Sequence, residues 1–281
     1  MSVKKSTFEY CNQMVQDFEK AIKKPIKGKS AVYYTGVDLG TACVVIAVLD
    51  ENYRPVAGAY KYSDVVRDGM IVDYIGAINI VRQMKQELEE KLDTELIYAA
   101  AAIPPGTDAL DSGAIKNVVQ AAGFELTNLL DEPTAANEVL KIQNGAVVDI
   151  GGGTTGISIL KDGKVLSVMD EPTGGTHFSL VISGAYGMSF ENADIYKRDE
   201  KNHKELLPVV KPVVEKVASI IGQHIKDYNV QEIILVGGTC CLSGIEDIIE
   251  KQVGITTYKP NNPFFVTPLG IALSCKQEIM Y

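Results

Sequence analysis

The sequence has no tryptophan and few cysteines, and the cysteines lack the spacing of a metal site. None of the five cysteines forms a C-x-x-C pair of the kind that holds zinc or an iron–sulfur cluster. Cys240 and Cys241 are adjacent, which suits a disulfide poorly. We therefore expect reduced thiols, most of them small core residues, in a protein of the cytosol.

Long apolar runs and an excess of basic residues are also missing. No apolar run reaches the ~18 residues that a membrane-spanning helix needs, and residues 1–30 carry charges throughout, unlike a signal peptide. The formal net charge is −9, which disfavours nucleic acid or an anionic membrane surface as the main partner. The sequence thus predicts a cytoplasmic protein that binds neither nucleic acid nor membrane.

The composition is that of a globular protein, with 46% hydrophobic and 22% charged residues, and the length allows one large or two modest domains. Residues 1–30 stand apart as an amphipathic helix followed by a basic linker. We expect this helix to pack on its own protein, with docking to a partner as the alternative. Its predicted apolar face consists of Phe8, Cys11, Met14, Val15, Phe18 and Ile22.

From residue 31 onward an α/β pattern occurs twice. "TGVDLGTACVVIAVLD" (Thr35–Asp50) and "VVDIGGGTTGISIL" (Val147–Leu160) each join two apolar strands through a turn that contains an acid and glycine. Strands and helices alternate after each hairpin, so we expect two related α/β domains. The second half contains a long helix, and we predict Pro208 and Pro212 in or before its first turn, where proline displaces no hydrogen bond.

The two turns have a composition that suits phosphate. Glycine lets the backbone approach a ligand closely, and glycine and threonine offer N–H and hydroxyl donors. Asp38 and Asp149, at the ends of the strands, would repel phosphate, so they indicate Mg²⁺ between carboxylates and phosphates, reached through its waters. For "GVDLGT" alone an ordinary turn is the alternative, because Asp is common before Gly in turns. Neither turn is a Walker P-loop or a Rossmann fingerprint.

These motifs resemble the actin-like ATPase superfamily, which includes actin, the bacterial shape and division actins and the Hsp70 nucleotide-binding domain. "GVDLGTA" is similar to its first phosphate loop and "VVDIGGGTTGISIL" to its second. "LLDEPTAAN" (Leu129–Asn137), "ILVGGTCCLSGIEDII" (Ile234–Ile249) and "VTPLGIALS" (Val266–Ser274) resemble its first connecting segment, its adenosine motif and its second connecting helix. The order of the motifs is also that of the superfamily.

The resemblance implies an α/β, two-lobed fold of the ribonuclease H-like kind, with reduced outer subdomains. After the amino-terminal helix and linker (1–30), lobe I would span residues 31–146 and be completed by a helix at 265–281. Lobe II would span residues 147–264. The two phosphate loops would face each other across a cleft that holds ATP or ADP with Mg²⁺.

The resemblance also implies roles for single residues. Asp38, Asp149 and Glu132 would form the catalytic set, with both aspartates facing Mg²⁺ through water and Glu132 orienting or activating the attacking water. Alternatively, Glu132 is a carboxylate favoured at a helix N-terminus. The helix from Leu242 would add its N-terminus to the site. The nucleotide would be bound by Gly40, Thr41, Gly151, Gly152, Gly153, Thr154, Thr155, Gly174, Gly175, Gly237 and Gly238.

Three departures from the superfamily pattern weaken the case for hydrolysis. Gly156 stands where Hsp70-like and shape-determining actin-like proteins have an acid, and Cys241 stands where Hsp70 has an arginine under the adenine. No lysine obviously replaces the Hsp70 active-site lysine. We therefore expect ATP binding with slow hydrolysis at most.

More narrowly, "DEPTAANEVL" and "MDEPTGGTHFSLVISGAYGMSFE" resemble the chaperone-like proteins encoded in bacterial ethanolamine-utilisation operons. This implies a factor that protects, refolds or assembles ethanolamine ammonia-lyase or its microcompartment, and that associates with that compartment. The alternative is an actin-like assembly or scaffold protein that polymerises or adapts partners with nucleotide. A small-molecule kinase of the sugar-kinase branch is disfavoured, because the insertions here are short.

Overall fold

The computed structural model describes residues 3–28 and 30–276, with side chains from residue 8 onward, and these residues form two units. Unit 1 holds the described residues up to Lys141 and those from Phe265 onward. Unit 2 runs from Ile142 to Phe264. Each unit is built around one five-stranded sheet.

Unit 1 combines its sheet with five helices and a small two-stranded hairpin, in the described part of the chain. The strands are β1 (Tyr34–Leu39), β2 (Cys43–Leu49), β3 (Pro55–Tyr62), β4 (Val66–Arg67), β5 (Met70–Ile71), β6 (Tyr98–Ile103) and β7 (Glu125–Asp131). The helices are α1 (Val3–Lys23), α2 (Tyr74–Leu92), α3 (Ala109–Ala121), α4 (Glu132–Leu140) and α9 (Val266–Ser274).

Unit 2 repeats the order of hairpin, third strand and helices. Its strands are β8 (Gly145–Ile150), β9 (Thr155–Lys161), β10 (Lys164–Glu171), β11 (Glu232–Val236) and β12 (Thr256–Tyr258). Its helices are α5 (Gly175–Tyr186), α6 (Phe190–Arg198), α7 (His203–Ile225) and α8 (Ile245–Val253).

The two sheets share one strand order. It is β3-β2-β1-β6-β7 in unit 1 and β10-β9-β8-β11-β12 in unit 2. In each sheet the first three strands are antiparallel neighbours and the last two run parallel to the strand that opens the hairpin. The predicted α/β scheme that occurs twice is therefore confirmed. Because the carboxyl ends of parallel strands meet at one sheet edge, β1 and β7 end on the same side, as do β8 and β11.

Each sheet buries an apolar face under helices. In unit 1, the side chains of α2 and α3 cover alternate residues of the sheet, and in unit 2 those of α5 and α7 do the same. Helix α9 packs at backbone distance against α4, because a Cβ on Gly270 would lie 1.8 Å from the carbonyl oxygen of Ala135. Glycine is required at that crossing, and α9 is thereby fixed in unit 1.

Helix α1 lies on unit 1 rather than standing free. Cys11, Val15 and Phe18 are each 1% exposed or less. The Phe18 ring covers Gly58 of β3, where a Cβ would meet the Phe18 Cε2 atom at 2.3 Å, and it contacts Phe265 edge-on with 5.2 Å between centroids. The expectation that this helix packs on its own protein is confirmed.

Helix α7 corrects the prediction for its prolines. The helix begins at His203, so Pro208 and Pro212 lie inside it and not in its first turn. Each proline removes one hydrogen bond to the carbonyl four residues earlier. Both prolines and Lys204 are exposed, so water can bind the freed carbonyls and the helix continues.

Two smaller features differ from or extend the sequence analysis. The strand β12 and the β4–β5 hairpin were not predicted, and both are three residues long or shorter per strand. The predicted closing helix, 265–281, is found as α9 (Val266–Ser274), while residues 277–281 lie outside the described residues. Among the described helices, none combines the length and apolarity needed to cross a membrane.

The packing of α1 leads to a first prediction. Phe18→Ala should lower the free energy of unfolding by about 3–5 kcal/mol, because it removes a fully buried ring and leaves a cavity over β3. The matched control is Tyr10→Ala on the exposed side of the same helix, where 50% of the residue is accessible and a change within about 0.5 kcal/mol is expected. Urea denaturation measures both, and equal effects would show that α1 does not hold unit 1 together.

Candidate functional site

The turn between β8 and β9 is closed on itself and then held from outside through its carbonyl groups. The N–H of Gly151 donates to the carbonyl of Thr154 at 3.0 Å. The carbonyl of Gly151 accepts from the N–H of Gly175 at 2.9 Å and from the hydroxyl of Thr239 at 2.7 Å. The same turn is therefore tied to the start of α5 and to the segment after β11.

The next carbonyl of the turn is held in the same way. That of Gly152 accepts from both the N–H and the hydroxyl of Thr176, at 2.7 and 2.9 Å. In a trans peptide unit the C=O and the following N–H point in opposite directions. The N–H groups of Gly152 and Gly153 therefore point away from α5, and within the described part of the chain neither donates to any group. Two adjacent N–H groups in a turn that are directed away from the protein's own carbonyls can donate hydrogen bonds to an anion.

Gly174 allows this close approach of α5 to the turn. A Cβ at Gly174 would lie 2.8 Å from the carbonyl carbon of Gly153 and 2.9 Å from the N of Thr154, so no side chain fits. The N–H of Gly174 donates to the His177 Nδ1 atom at 3.4 Å, so His177 helps to close the start of α5. Since the N–H of Gly175 holds the turn, the direct nucleotide contacts expected of Gly174 and Gly175 stay predictions.

A partly buried ion pair supports the first turn of α5. The Lys197 Nζ atom, on α6, donates to the carbonyl of Gly175 and to the hydroxyl of Ser179, both at 2.8 Å, and pairs with Asp194 at 2.9 Å. Burial lowers the pKa of Lys197, and Asp194 opposes this shift. Arg198 also contacts Asp194 at 3.0 Å. Lys197 could not be predicted from the sequence, because its partner Gly175 lies far away along the chain.

Asp149, the second-last residue of β8, lies beside Gly237, the residue that follows β11. Asp149 is 5% exposed and aligns with Val236 in the parallel register. Gly237 has a φ of +90°, and a Cβ there would lie 2.2 Å from the Asp149 Oδ1 atom. Glycine is therefore needed at Gly237 for both its backbone conformation and its contact with the carboxylate.

The segment after β11 differs from the expected helix start. Gly238–Cys241 forms a short 3₁₀ turn, and α8 begins only at Ile245. The prediction that a helix from Leu242 adds its N-terminus to the site is wrong. The residue that reaches the site is instead Thr239, whose hydroxyl binds the carbonyl of Gly151.

The threonines of the second turn have partners inside unit 2. The hydroxyl of Thr155 donates to the carbonyl of Thr173 at 2.5 Å, and Thr154 hydrogen-bonds the side chain of Asp170. Burial raises the pKa of Asp170 to about 6, and the nearby carboxylate of Asp149 adds to this shift. Asp170 could not be predicted from the sequence, because it lies on β10 and outside the glycine-rich motif.

The turn between β1 and β2 in unit 1 is smaller. The N–H of Gly40 donates to the carbonyl of Cys43 at 3.1 Å, and the hydroxyl of Thr41 accepts from Gly69 of the β4–β5 hairpin at 3.4 Å. The N–H groups of Thr41 and Ala42 make no hydrogen bond to the described residues. This turn thus also presents adjacent N–H donors.

The predicted acids of unit 1 lie at one edge of its sheet. Asp38 is near the carboxyl end of β1, and Glu132 follows the carboxyl end of β7 and opens α4. Asp131 caps that helix by accepting from the N–H of Thr134 at 2.9 Å. Glu132 therefore sits in the first helical turn, where the helix dipole favours a carboxylate.

The comparisons agree with this architecture. The structure of MreB5 of Spiroplasma citri bound to AMPPNP superposes with a TM-score of 0.69 at 17% identity, over 86% of this chain and 95% of that chain. The family model described as type IV pilus assembly protein PilM matches residues 119–270. With two sheets of one strand order, each with a glycine-containing turn between its first two strands in the chain, the chain has the fold of the actin-like ATPase superfamily.

Two further matches fix the family. The ethanolamine utilization protein EutJ of Salmonella typhimurium is 44% identical over 251 residues, 88% of each chain. The crystal structure of EutJ from Carboxydothermus hydrogenoformans superposes with a TM-score of 0.90 at 46% identity, covering 95% of this chain and 99% of that chain. The chain belongs to the EutJ family of ethanolamine utilization proteins.

A more distant relative is a chaperone. The chaperone protein HscA homolog of Vibrio atlanticus is 26% identical over 240 residues, 69% of this chain and 39% of that protein.

The contact between α5 and the β8–β9 turn leads to a second prediction. Gly174→Ala should lower the free energy of unfolding by about 1–3 kcal/mol, because the new Cβ collides with backbone atoms of Gly153 and Thr154. Gly184→Ala, in the same helix with nothing within 4 Å of the new Cβ, should stabilise by about 0.5–1 kcal/mol. Chemical denaturation of both variants distinguishes a steric effect from loss of glycine as such. The steric explanation would be wrong if both substitutions raised the free energy of unfolding.

A third prediction concerns His203, which is 4% exposed and links α6 to the segment before α8. Its Nδ1 atom accepts from the N–H of Ser243 at 3.2 Å, so its Nε2–H donates to the carbonyl of Lys197 at 3.1 Å. Burial lowers the pKa of His203 in the folded protein. The stability from the neutral ring is therefore present above the unfolded pKa of about 6.5 and is lost as the pH falls through the folded pKa.

His203→Gln keeps a donor and an acceptor but does not titrate. The decrease in unfolding free energy between pH 7.5 and pH 5.5 should be smaller in this variant than in the parent protein, as measured by urea denaturation at each pH. The same decrease in both proteins would contradict the assignment of a neutral imidazole.

Proposed function

We propose that this chain binds ATP and ADP with Mg²⁺ and uses them to change the arrangement of its two units. The observation that carries the proposal is the outward direction of the Gly152 and Gly153 N–H groups, imposed by the hydrogen bonds to the carbonyls of Gly151 and Gly152. Donors fixed in this way suit phosphate oxygens, since no reorganisation is needed on binding. The AMPPNP-bound MreB5 structure supports a nucleotide as the ligand of this fold.

The donor set of unit 2 suits Mg²⁺, which prefers oxygen ligands and keeps several waters. Asp149 is buried at the end of β8, and the Asp170 Oδ1 atom is buried without a hydrogen-bond partner in the described residues. Bound Mg²⁺ would neutralise phosphate charge. Asp149, with Asp38 of unit 1, would hold its waters, and the backbone N–H groups would bind the phosphates.

Glu132 is the residue proposed to orient the attacking water. As the first residue of α4, it has its backbone fixed by the Asp131 cap. Gly156 offers no second acid at its position in β9. We therefore propose slow hydrolysis at most, so that the exchange of ATP for ADP, rather than fast turnover, would drive the cycle.

The biological role proposed is that of a chaperone-type factor of ethanolamine utilisation. It would protect, refold or assemble ethanolamine ammonia-lyase or its microcompartment, in the cytoplasm or at that compartment. Membership of the EutJ family supports the pathway, and the similarity to an HscA homolog supports the chaperone character. In this role, the nucleotide-binding fold itself would bind the partner, and it would do so in only one of the two nucleotide states.

A second candidate is an adaptor or scaffold that polymerises or recruits partners with nucleotide. The match of residues 119–270 to the PilM family model favours it. Sedimentation with and without Mg-ATP separates the two roles, because polymers pellet and a chaperone-type factor stays in the supernatant.

The nucleotide proposal gives a fourth prediction. Calorimetric titration with Mg-ATP should show saturable binding by the parent protein, and Asp149→Ala should weaken the affinity by at least ~10-fold, because it removes a carboxylate that orders the Mg²⁺ waters. Gly184→Ala is the control and should bind as the parent does, since its site lies in open space. Folded protein that is indifferent to millimolar ATP and ADP would disprove the proposal.

The partner is tested separately. Immobilised protein loaded with Mg-ATP or Mg-ADP is incubated with purified ethanolamine ammonia-lyase. The control is Asp149→Ala, which should bind nucleotide more weakly. A nucleotide-dependent difference in captured lyase supports the chaperone-type role. Equal or absent capture in both states, together with pelleting in Mg-ATP, favours the scaffold.

A further inference from the structure

Gly156 lies between two aspartates of neighbouring strands. In the antiparallel registers, Gly156 of β9 is opposite Asp149 of β8 on one side and opposite Asp170 of β10 on the other. Side chains of directly opposed residues share one face of a sheet. The two carboxylates therefore lie on the same face, and Gly156 contributes no side chain between them.

Among the described residues, no cation acts on the carboxyl group of Asp170. Thr154 hydrogen-bonds its carboxyl group, yet the Oδ1 atom is buried and has no hydrogen-bond partner among the described residues. The charged groups that act on it are Asp149 and Glu171, which are both acids. A buried acceptor next to like charge is unfavourable unless a ligand satisfies it.

We propose that Asp170 is a positioning residue for the hydrated Mg²⁺ of the bound nucleotide, and that it supplies from β10 the carboxylate that the superfamily pattern places at 156. This inference rests on the proposed nucleotide function. Asp149 and Asp170 together would accept hydrogen bonds from Mg²⁺ waters, with the buried Oδ1 atom as one acceptor. Thr154 links this carboxylate to the phosphate-binding turn, so metal and phosphates would be aligned by one short segment.

Glu171 provides a matched control on the same strand. It is the next residue along β10, so its side chain is on the opposite face, and it already pairs with His224 at 3.0 Å. Asp170→Asn and Glu171→Gln remove the same charge one position apart. A role toward Mg²⁺ affects only the first, whereas a general change in charge affects both.

The experiment measures ATP affinity in Mg²⁺ and in EDTA for the parent protein, Asp170→Asn, Asp170→Ser and Glu171→Gln. Mg²⁺ should raise the ATP affinity of the parent protein, and in Asp170→Asn and Asp170→Ser we expect this increase to be smaller by about 10-fold or more. Effects of this size are typical of residues that orient metal ligands. Affinity in EDTA should stay within about two-fold, and Glu171→Gln should match the parent in both conditions. Asp170→Glu, measured in the same way, should keep part of the increase in ATP affinity that Mg²⁺ produces. Circular dichroism checks that the variants are folded.

The outcomes separate the two proposals. If the parent protein binds no ATP in either condition, the proposed nucleotide function is overturned and this inference with it. If the parent binds ATP and both Asp170 variants keep the full gain from Mg²⁺, only the role of Asp170 is overturned. The same holds if Glu171→Gln loses as much as Asp170→Asn, because the effect is then one of net charge.

Discussion

The shape of the turn between β8 and β9 depends on two of its carbonyl groups, which accept hydrogen bonds from the start of helix α5. The carbonyls of Gly151 and Gly152 accept hydrogen bonds from α5, and planar trans peptides then direct the next two N–H groups the other way. Several otherwise unrelated residues serve this one arrangement. Gly174 lets the helix approach, Lys197 and Ser179 hold its first turn, and Thr239 adds a donor from the segment after β11.

The two units share a topology and differ in how they hold their turns. After β10 the chain enters α5, whose N–H groups reach the β8–β9 turn, whereas after β3 it enters the β4–β5 hairpin. In unit 1 the turn is held from outside by a long hydrogen bond from the N–H of Gly69 to the hydroxyl of Thr41 and by one from the N–H of Ser63 to the carbonyl of Ala42. The repeated fold thus places a glycine-containing turn at equivalent positions, and the local sequence decides how rigidly it is fixed. We infer that the β8–β9 turn is the more rigidly held of the two.

The sequence was sufficient for features that are local or periodic. Hairpins with an acid-and-glycine turn, the apolar stripe of α1 and the repeated α/β order follow from neighbouring residues, and the structure has them. Asp170 and Lys197 were not predictable in this way, because their partners come from strand register and helix packing. Lys197 of α6 donates a hydrogen bond to Gly175 of α5. Asp170 and Asp149 share one face of the sheet because both lie opposite Gly156 of β9. The start of α7 was misjudged for a related reason, since exposure of Pro208 and Pro212 is decided by packing.

The burial of the cysteines has a practical consequence for spectroscopy. Cys11, Cys43, Cys240 and Cys275 are buried, and burial raises the pKa of Cys11 to about 12 and that of Cys240 well above its usual range. Cys241 is the partly accessible thiol, and it sits in the 3₁₀ turn beside Thr239. A maleimide fluorophore would therefore attach preferentially at Cys241 in the unmodified chain. The label would report changes at that turn without any engineered cysteine.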